Sequence, residues 1–128
     1  MAIHQEITID AEPDSVYKIL TTSKLFAAMT GGRGAEISAK PGGRSTMFGG
    51  EIEAVNVETI PGKRLVQAWR AKTWPAGVYS IARFELAKQG KSTKLVFDQA
   101  GHPADAEAML SGGWAKMYWE PMQAALSK

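Results

Sequence analysis

Across residues 3–9 the apolar side chains Ile3, Ile7 and Ile9 are separated by His4, Glu6 and Thr8, an alternation that predicts a half-buried strand. Residues 10–13 break it. Val16, Ile19 and Leu20 then recur at helical spacing behind Pro13, a residue suited to a first helical turn. The stretch 21–23 interrupts this helix, and Leu25, Phe26 and Met29 form a second apolar face that Gly31, Gly32 and Gly34 bring to an end. The pattern predicts one strand leading into a kinked or paired helix.

From there to Gly101 the chain is punctuated by Pro41-Gly42-Gly43, Gly49-Gly50, Pro61-Gly62, the stretch 75–77 and Gln89-Gly90. The intervening runs, 35–39, 45–48, 51–60, 64–71, 78–87 and 93–100, have the composition of strands. Leu65, Gln67, Trp69 and Ala71 share one face, as do Phe84 with Leu86, and Thr93 with Leu95 and Phe97. The other face carries Arg70, Lys72, Arg83, Glu85, Lys94 and Asp98. Beyond residue 105 no strand pattern remains, and Leu110, Trp114, Met117, Tyr118 and Ala125 fall at helical spacings, predicting a long amphipathic helix over 105–128. Gly112-Gly113 weakens it, and Pro121 cannot donate to the carbonyl of Met117, so a kink or break is expected near Met117.

The chain of 128 residues suits a single domain over 1–128, long enough to bury its own core. With 45% hydrophobic and 22% charged residues it is neither disordered nor fibrous. Absence of cysteine removes disulfides and thiolate metal sites and fits a reducing compartment. The N-terminal residues lack the basic-then-apolar layout of a signal peptide. No apolar run approaches the ~18 residues of a membrane helix, so a cytoplasmic protein without membrane contact is expected. A net charge of +2, with basic residues scattered over both halves, makes no nucleic-acid stripe. Lys88, Lys91 and Lys94 bracket Gly90 as solvated hairpin charges.

Four segments carry a resemblance: LTTSKLFAAMTGG (20–32), PGGRSTMFGGEI (41–52), VETIPGKRLVQAWRAKTWPAG (57–77) and GHPADAEAMLSGGWAKMYWEPM (101–122). In their sequence and order the chain resembles the activator of heat-shock-protein ATPase family, in particular the C-terminal domain of the eukaryotic activator. The resemblance implies an α+β, helix-grip (START-like, birch-pollen-allergen-like) fold. In it, an antiparallel sheet of about seven strands wraps around a long C-terminal helix, with two short helices after strand one. It implies two roles: binding a small apolar ligand or a protein client without catalysis, or docking on the ninety-kilodalton heat-shock chaperone and stimulating its ATPase. Cyclases and hydrolases acting in a cavity also occur in the superfamily. Two-domain activators carry a further N-terminal domain that grips the chaperone's middle segment, which these residues do not include. The resemblance leaves monomer and homodimer both open.

All four tryptophans lie in two segments, WRAKTWP and GGWAKMYWEPM, which are expected to meet where sheet faces helix. Phe48, Trp69, Phe84 and Phe97 from the strands, with Trp114, Met117 and Tyr118 from the helix, therefore either fill a core or line a cavity for an apolar ligand. Gln67 and Tyr118 are polar on a dry face and must find partners, in the protein or on a ligand. Arg70, Lys72 and Arg83 are expected together on the solvated sheet face with Trp74 at its edge, a surface able to meet an acidic partner. His4 and His102 have no predicted carboxylate beside them, and no His, Asp and Glu spacing suggests a metal site, so no cofactor is expected. Glu51 and Glu53 alternate with Ile52 and Ala54 as solvent-facing strand residues do, and Glu58 lies on the same strand. Glu107 and Glu120 lie on the helix.

Overall fold

The computed structural model describes residues 2–126. In chain order these form β1 (Ala2–Ile9), α1 (Pro13–Thr21), α2 (Ser23–Met29), β2 (Arg44–Met47), β3 (Ile52–Ile60), β4 (Arg64–Ala71), β5 (Ser80–Gln89), β6 (Ser92–Ala100), α3 (Glu107–Trp114) and α4 (Glu120–Leu126). A π turn over Ala115–Trp119 joins α3 to α4. The strands make a six-stranded sheet in the order β1-β6-β5-β4-β3-β2, antiparallel at every pairing.

The run 35–39 does not become the expected seventh strand; it makes one isolated bridge, Glu36 to Thr46. Side chains take over its backbone groups instead. Ser23 Oγ accepts from the Ile37 N–H at 2.8 Å, Ser45 Oγ from the Ser38 N–H at 3.0 Å, and Asn56 Nδ2 donates to the carbonyls of Ser38 and Lys40. With those groups satisfied, a ladder has little left to pair.

Alternation on the other strands places Leu65, Phe84 and Phe97 opposite one another across β4, β5 and β6, all buried. The next row, Asn56, Gln67, Ala82 and Gln99, is equally buried and mostly polar. Across this dry face runs the C-terminal helix, whose Trp114 ring lies 4.2 Å from Phe97 and 5.9 Å from Phe84. The paired helices α1 and α2 cover one end through Val16, Leu20 and Phe26, packing against β5 and α4. Leu25, expected on the apolar face of α2, is exposed, because Phe26 and Met29 already fill the contact.

The helix break falls where Pro121 predicts it. In the π turn the Glu120 N–H reaches back to the Ala115 carbonyl, one residue further than in an α-helix. The inserted residue rotates the downstream face: Trp119 and Met122 are buried, whereas Ala125 and Met117, expected inside, are exposed. The expected end of this helix at 127–128 lies outside the described residues. No helix among the described residues is long and apolar enough to cross a membrane.

Candidate functional site

Between the beginning of β3, the end of β4 and the α3–π-turn segment lies an apolar groove of about 480 Å³. That is within the ~300–1,000 Å³ usual for small-molecule sites. Trp69, Trp114 and Tyr118 form its inner wall, Phe48 and Ile52 one side, and Met109, Gly112, Gly113 and Met117 the helical side. Spacing of four along the helix sets Met109, Gly113 and Met117 in one stripe. A side chain added at Gly112 or Gly113 would meet nothing within 4 Å. The glycines therefore leave this volume unfilled; no close approach of another element requires them.

At the lip the backbone turns through three successive left-handed residues, Phe48 (φ 56°), Gly49 (φ 67°) and Gly50 (φ 93°). For glycine this costs little, but for Phe48 it is strained. Arg33 secures the turn: its Nη2 donates to the Phe48 carbonyl at 3.2 Å and its guanidinium lies 5.3 Å from the Phe48 ring centre. Phe48 in turn packs on Phe26 and Tyr118, with ring centres 5.5 and 5.6 Å away.

Five of the eight proposed ligand contacts, Phe48, Trp69, Trp114, Met117 and Tyr118, line this groove, whereas Gln67, Phe84 and Phe97 lie beneath it in the core. The polar atoms of the inner wall are paired within the protein. Gln67 Nε2 donates to Asn56 Oδ1 at 3.3 Å; Trp69 Nε1 donates to the Tyr118 hydroxyl at 3.4 Å, which itself points to Met47 Sδ. Trp114 Nε1 donates to Gln99 Oε1 at 2.8 Å, Gln99 Nε2 to Ser80 Oγ, and Ser80 Oγ to the Trp69 carbonyl. Burial pushes the Tyr118 hydroxyl well above the ordinary phenol range, so it stays neutral.

The expected basic face is not a free one. Arg70 is only 9% exposed, because its Nη2 donates to the carbonyls of Trp74 and Pro75 and its Nε to that of Val78, tying the β4–β5 loop to the sheet. Its Nη1 also stands 3.7 Å from Glu53. Lys72 pairs with Glu51 at 3.5 Å and Arg83 with Asp98 at 3.1 Å. Val66 faces Arg83 and Arg70 stands four residues further along β4, roughly 13 Å away, so the three cations form no cluster. Trp74 is half-buried, with its ring 5.8 Å from Trp69.

Both histidines have the carboxylate partners that their sequence neighbourhood did not show. His4 Nδ1 lies 2.6 Å from Asp98 and Nε2 2.9 Å from Glu6; the Asp98 and then the Glu6 hydrogen bonds hold its pKa above the ordinary value. His102 is buried and not a surface residue, with Nε2 bonded to Glu107 and Nδ1 unpartnered among the described residues. Register across strands produces the first contact, and the α3 start folding back on its own loop produces the second. Among the described residues no group of three or more His, Asp or Glu side chains could hold a metal ion.

Sequence reasoning missed Arg33, Ile52, Met109, Leu110 and Lys116 as groove residues. The helical members carried a signal, since Met109 and Lys116 lie four and three positions from Gly113. Arg33, inside a glycine-rich turn, carried none.

Residues 10–127 match the family model described as "Activator of Hsp90 ATPase homolog 1-like protein". The chain belongs to this family. A human relative, activator of 90 kDa heat shock protein ATPase homolog 1, is 29% identical over 113 residues, covering 88% of this chain and 33% of the relative. The chain thus spans about a third of the length of the curated relatives it matches first. The crystal structure of an HSP90 activator from Plasmodium falciparum superposes with a TM-score of 0.94 at 20% identity, covering 99% of this chain and 96% of that one. The solution structure of an Aha1 dimer from Colwellia psychrerythraea gives 0.82 at 19% identity, covering 98% and 96%. Both likenesses show the fold, which is the helix-grip arrangement of activator-type domains.

Proposed function

We propose that this activator-family chain is a co-chaperone-like domain that docks on the 90 kDa heat shock protein in the cytoplasm and raises its ATPase rate. The observation that carries the proposal is the family match over residues 10–127, joined to relatives named for that activity. Because the chain spans a third of those relatives, what passes to it is the contribution of one domain. The docking surface proposed is the end of the molecule where Met109, 77% exposed, stands beside Trp74, with Lys72 on the adjoining strand end. Arg70 supports that surface from beneath by holding the Trp74 loop, and Arg83 lies outside it.

Steady-state ATP hydrolysis by the purified chaperone, measured with increasing amounts of this protein, tests the proposal. A saturable rise that Met109→Glu abolishes without altering the melting temperature supports it. An unchanged rate together with no detectable complex overturns it.

A second reading, binding of a small apolar ligand, has the open groove behind it. A neutral apolar fluorophore should then bind stoichiometrically and raise the melting temperature, as a ligand selective for the native state does. The cyclase or hydrolase alternative draws no support from the groove. Its carboxylate, Glu51, is ion-paired, and its phenol, Tyr118, is held neutral.

A further inference from the structure

We propose that the groove takes an apolar carboxylate, an alkyl or aryl monoacid whose hydrocarbon body lies along Gly113, Trp69 and Met117 and whose carboxylate faces Arg33 and Lys116 at the mouth. The inference rests on the small-ligand reading given above and adds the chemistry of the ligand's head.

Three charged side chains line the groove: Arg33, Glu51 and Lys116. Glu51 is engaged by Lys72 at 3.5 Å, while Arg33 and Lys116 form no ion pair among the described residues. The groove mouth is therefore cationic over an apolar interior. Arg33 is also held in place. One of its donors is spent on the Phe48 carbonyl and its guanidinium carbon lies over the Phe48 ring, and among the described residues its other N–H groups make no further hydrogen bond, so they can meet a carboxylate. Lys116 is exposed in the π turn and brings a second charge.

The interior explains the body of the ligand. Indole N–H and phenol O–H groups along the wall are satisfied inside the protein, so nothing there calls for a polar partner. Met109 and Met117 are unbranched and polarizable, able to follow the outline of different hydrocarbons. A strained Phe48 at the lip, fixed by the same arginine that would meet the carboxylate, is the kind of local cost that clusters at binding sites.

Displacement of Nile red, a neutral apolar dye, by decanoate and by decylamine at neutral pH tests the proposal with probes of equal chain length and opposite charge. Decanoate should displace the dye about fivefold to tenfold more tightly, as expected for one or two solvent-exposed ion pairs, and added salt should erode that preference. Lys116→Gln should lose part of the preference and the Arg33→Gln, Lys116→Gln pair most of it. The single Lys116 variant leaves the Phe48 turn untouched should the double variant fold poorly. Gly113→Leu, whose side chain enters open space, should remove binding of both probes in a protein that still melts cooperatively.

Equal affinity for the two probes would overturn the carboxylate inference and leave the groove a ligand site. Saturable binding that survives Gly113→Leu would place the site elsewhere and overturn the inference. No saturable displacement by either probe would overturn both it and the ligand reading.

Discussion

Trp114 has two flanks built in opposite ways. Toward β5 and β6 it is enclosed by Phe97, Phe84 and Trp119, and its N–H is taken by Gln99. Toward β3 it touches Trp69 and Tyr118, at 5.1 and 4.4 Å, and beside these Gly112 and Gly113 leave open the space between Met109 and Met117 that forms the groove. On the filled flank the π turn brings in Trp119, whose N–H donates to Gln5 Oε1 at 2.7 Å while Gln5 donates onward to the Ser111 carbonyl. On the open flank each glycine costs about 1 kcal/mol relative to alanine in helix propensity, and no neighbouring element packs close enough to require one. Large aromatic residues alone therefore do not decide between core and cavity. The small residues beside them do.

The largest effect that would break this comparison is expected from Trp114→Ala, which empties the filled flank and should cost roughly 3–5 kcal/mol in urea melts. Trp74→Ala, at a half-buried loop position against Trp69, should cost clearly less. Equal losses would mean that Trp74 is as integral to the core as Trp114. Next in size, Gln99→Leu strands the Trp114 indole N–H and removes the donor to Ser80. A loss of about 1–3 kcal/mol is expected for leaving such a group unpaired, and no loss would show that the polar row is dispensable. On the open flank the sign reverses: Gly113→Ala should stabilise by about 1 kcal/mol, and destabilisation would show a packing constraint at that position.

The smallest effect lies on the solvated face. The hydrogen bonds to Asp98 and Glu6 raise the His4 pKa in the folded state. Their contribution is thus fully present below the unfolded value of ~6.5 and is lost as pH rises through the folded one. Glu6 is held below its ordinary value by His4 and Lys94. Partial burial works to raise Asp98, but the His4 and Arg83 hydrogen bonds outweigh it and leave its pKa lowered. Both carboxylates are therefore charged through the window. The stability difference between wild type and His4→Gln should be greatest between about pH 5 and 6.5 and shrink to a pH-independent value at alkaline pH. A difference that grows with pH contradicts this linkage.

Much of the fold was legible in the sequence. Strict alternation gave β1, β4, β5 and β6 their faces, because one side of each is buried, and Pro121 announced the helix break. What alternation could not show was where side chains replace a ladder, as Ser23, Ser45 and Asn56 do for 35–39. Nor could a 3.6-residue period survive the π turn, which turned Ala125 outward and brought in Trp119 and Met122. The site was half legible. Trp69, Trp114, Met117, Tyr118 and the glycine pair follow from spacing, but Arg33 reaches the groove through a loop, and Arg70 is buried by carbonyls of a loop whose path has no sequence period.

The contrast between a filled and an open flank is tested most directly by a nitrogen–proton NMR titration with decanoate. The account predicts saturable shifts at the Gly112 and Gly113 amides and the Trp69 indole N–H, with the Trp119 indole N–H unmoved behind its bond to Gln5. Shifts centred on Trp119, or no saturable shift at Gly113, would contradict it.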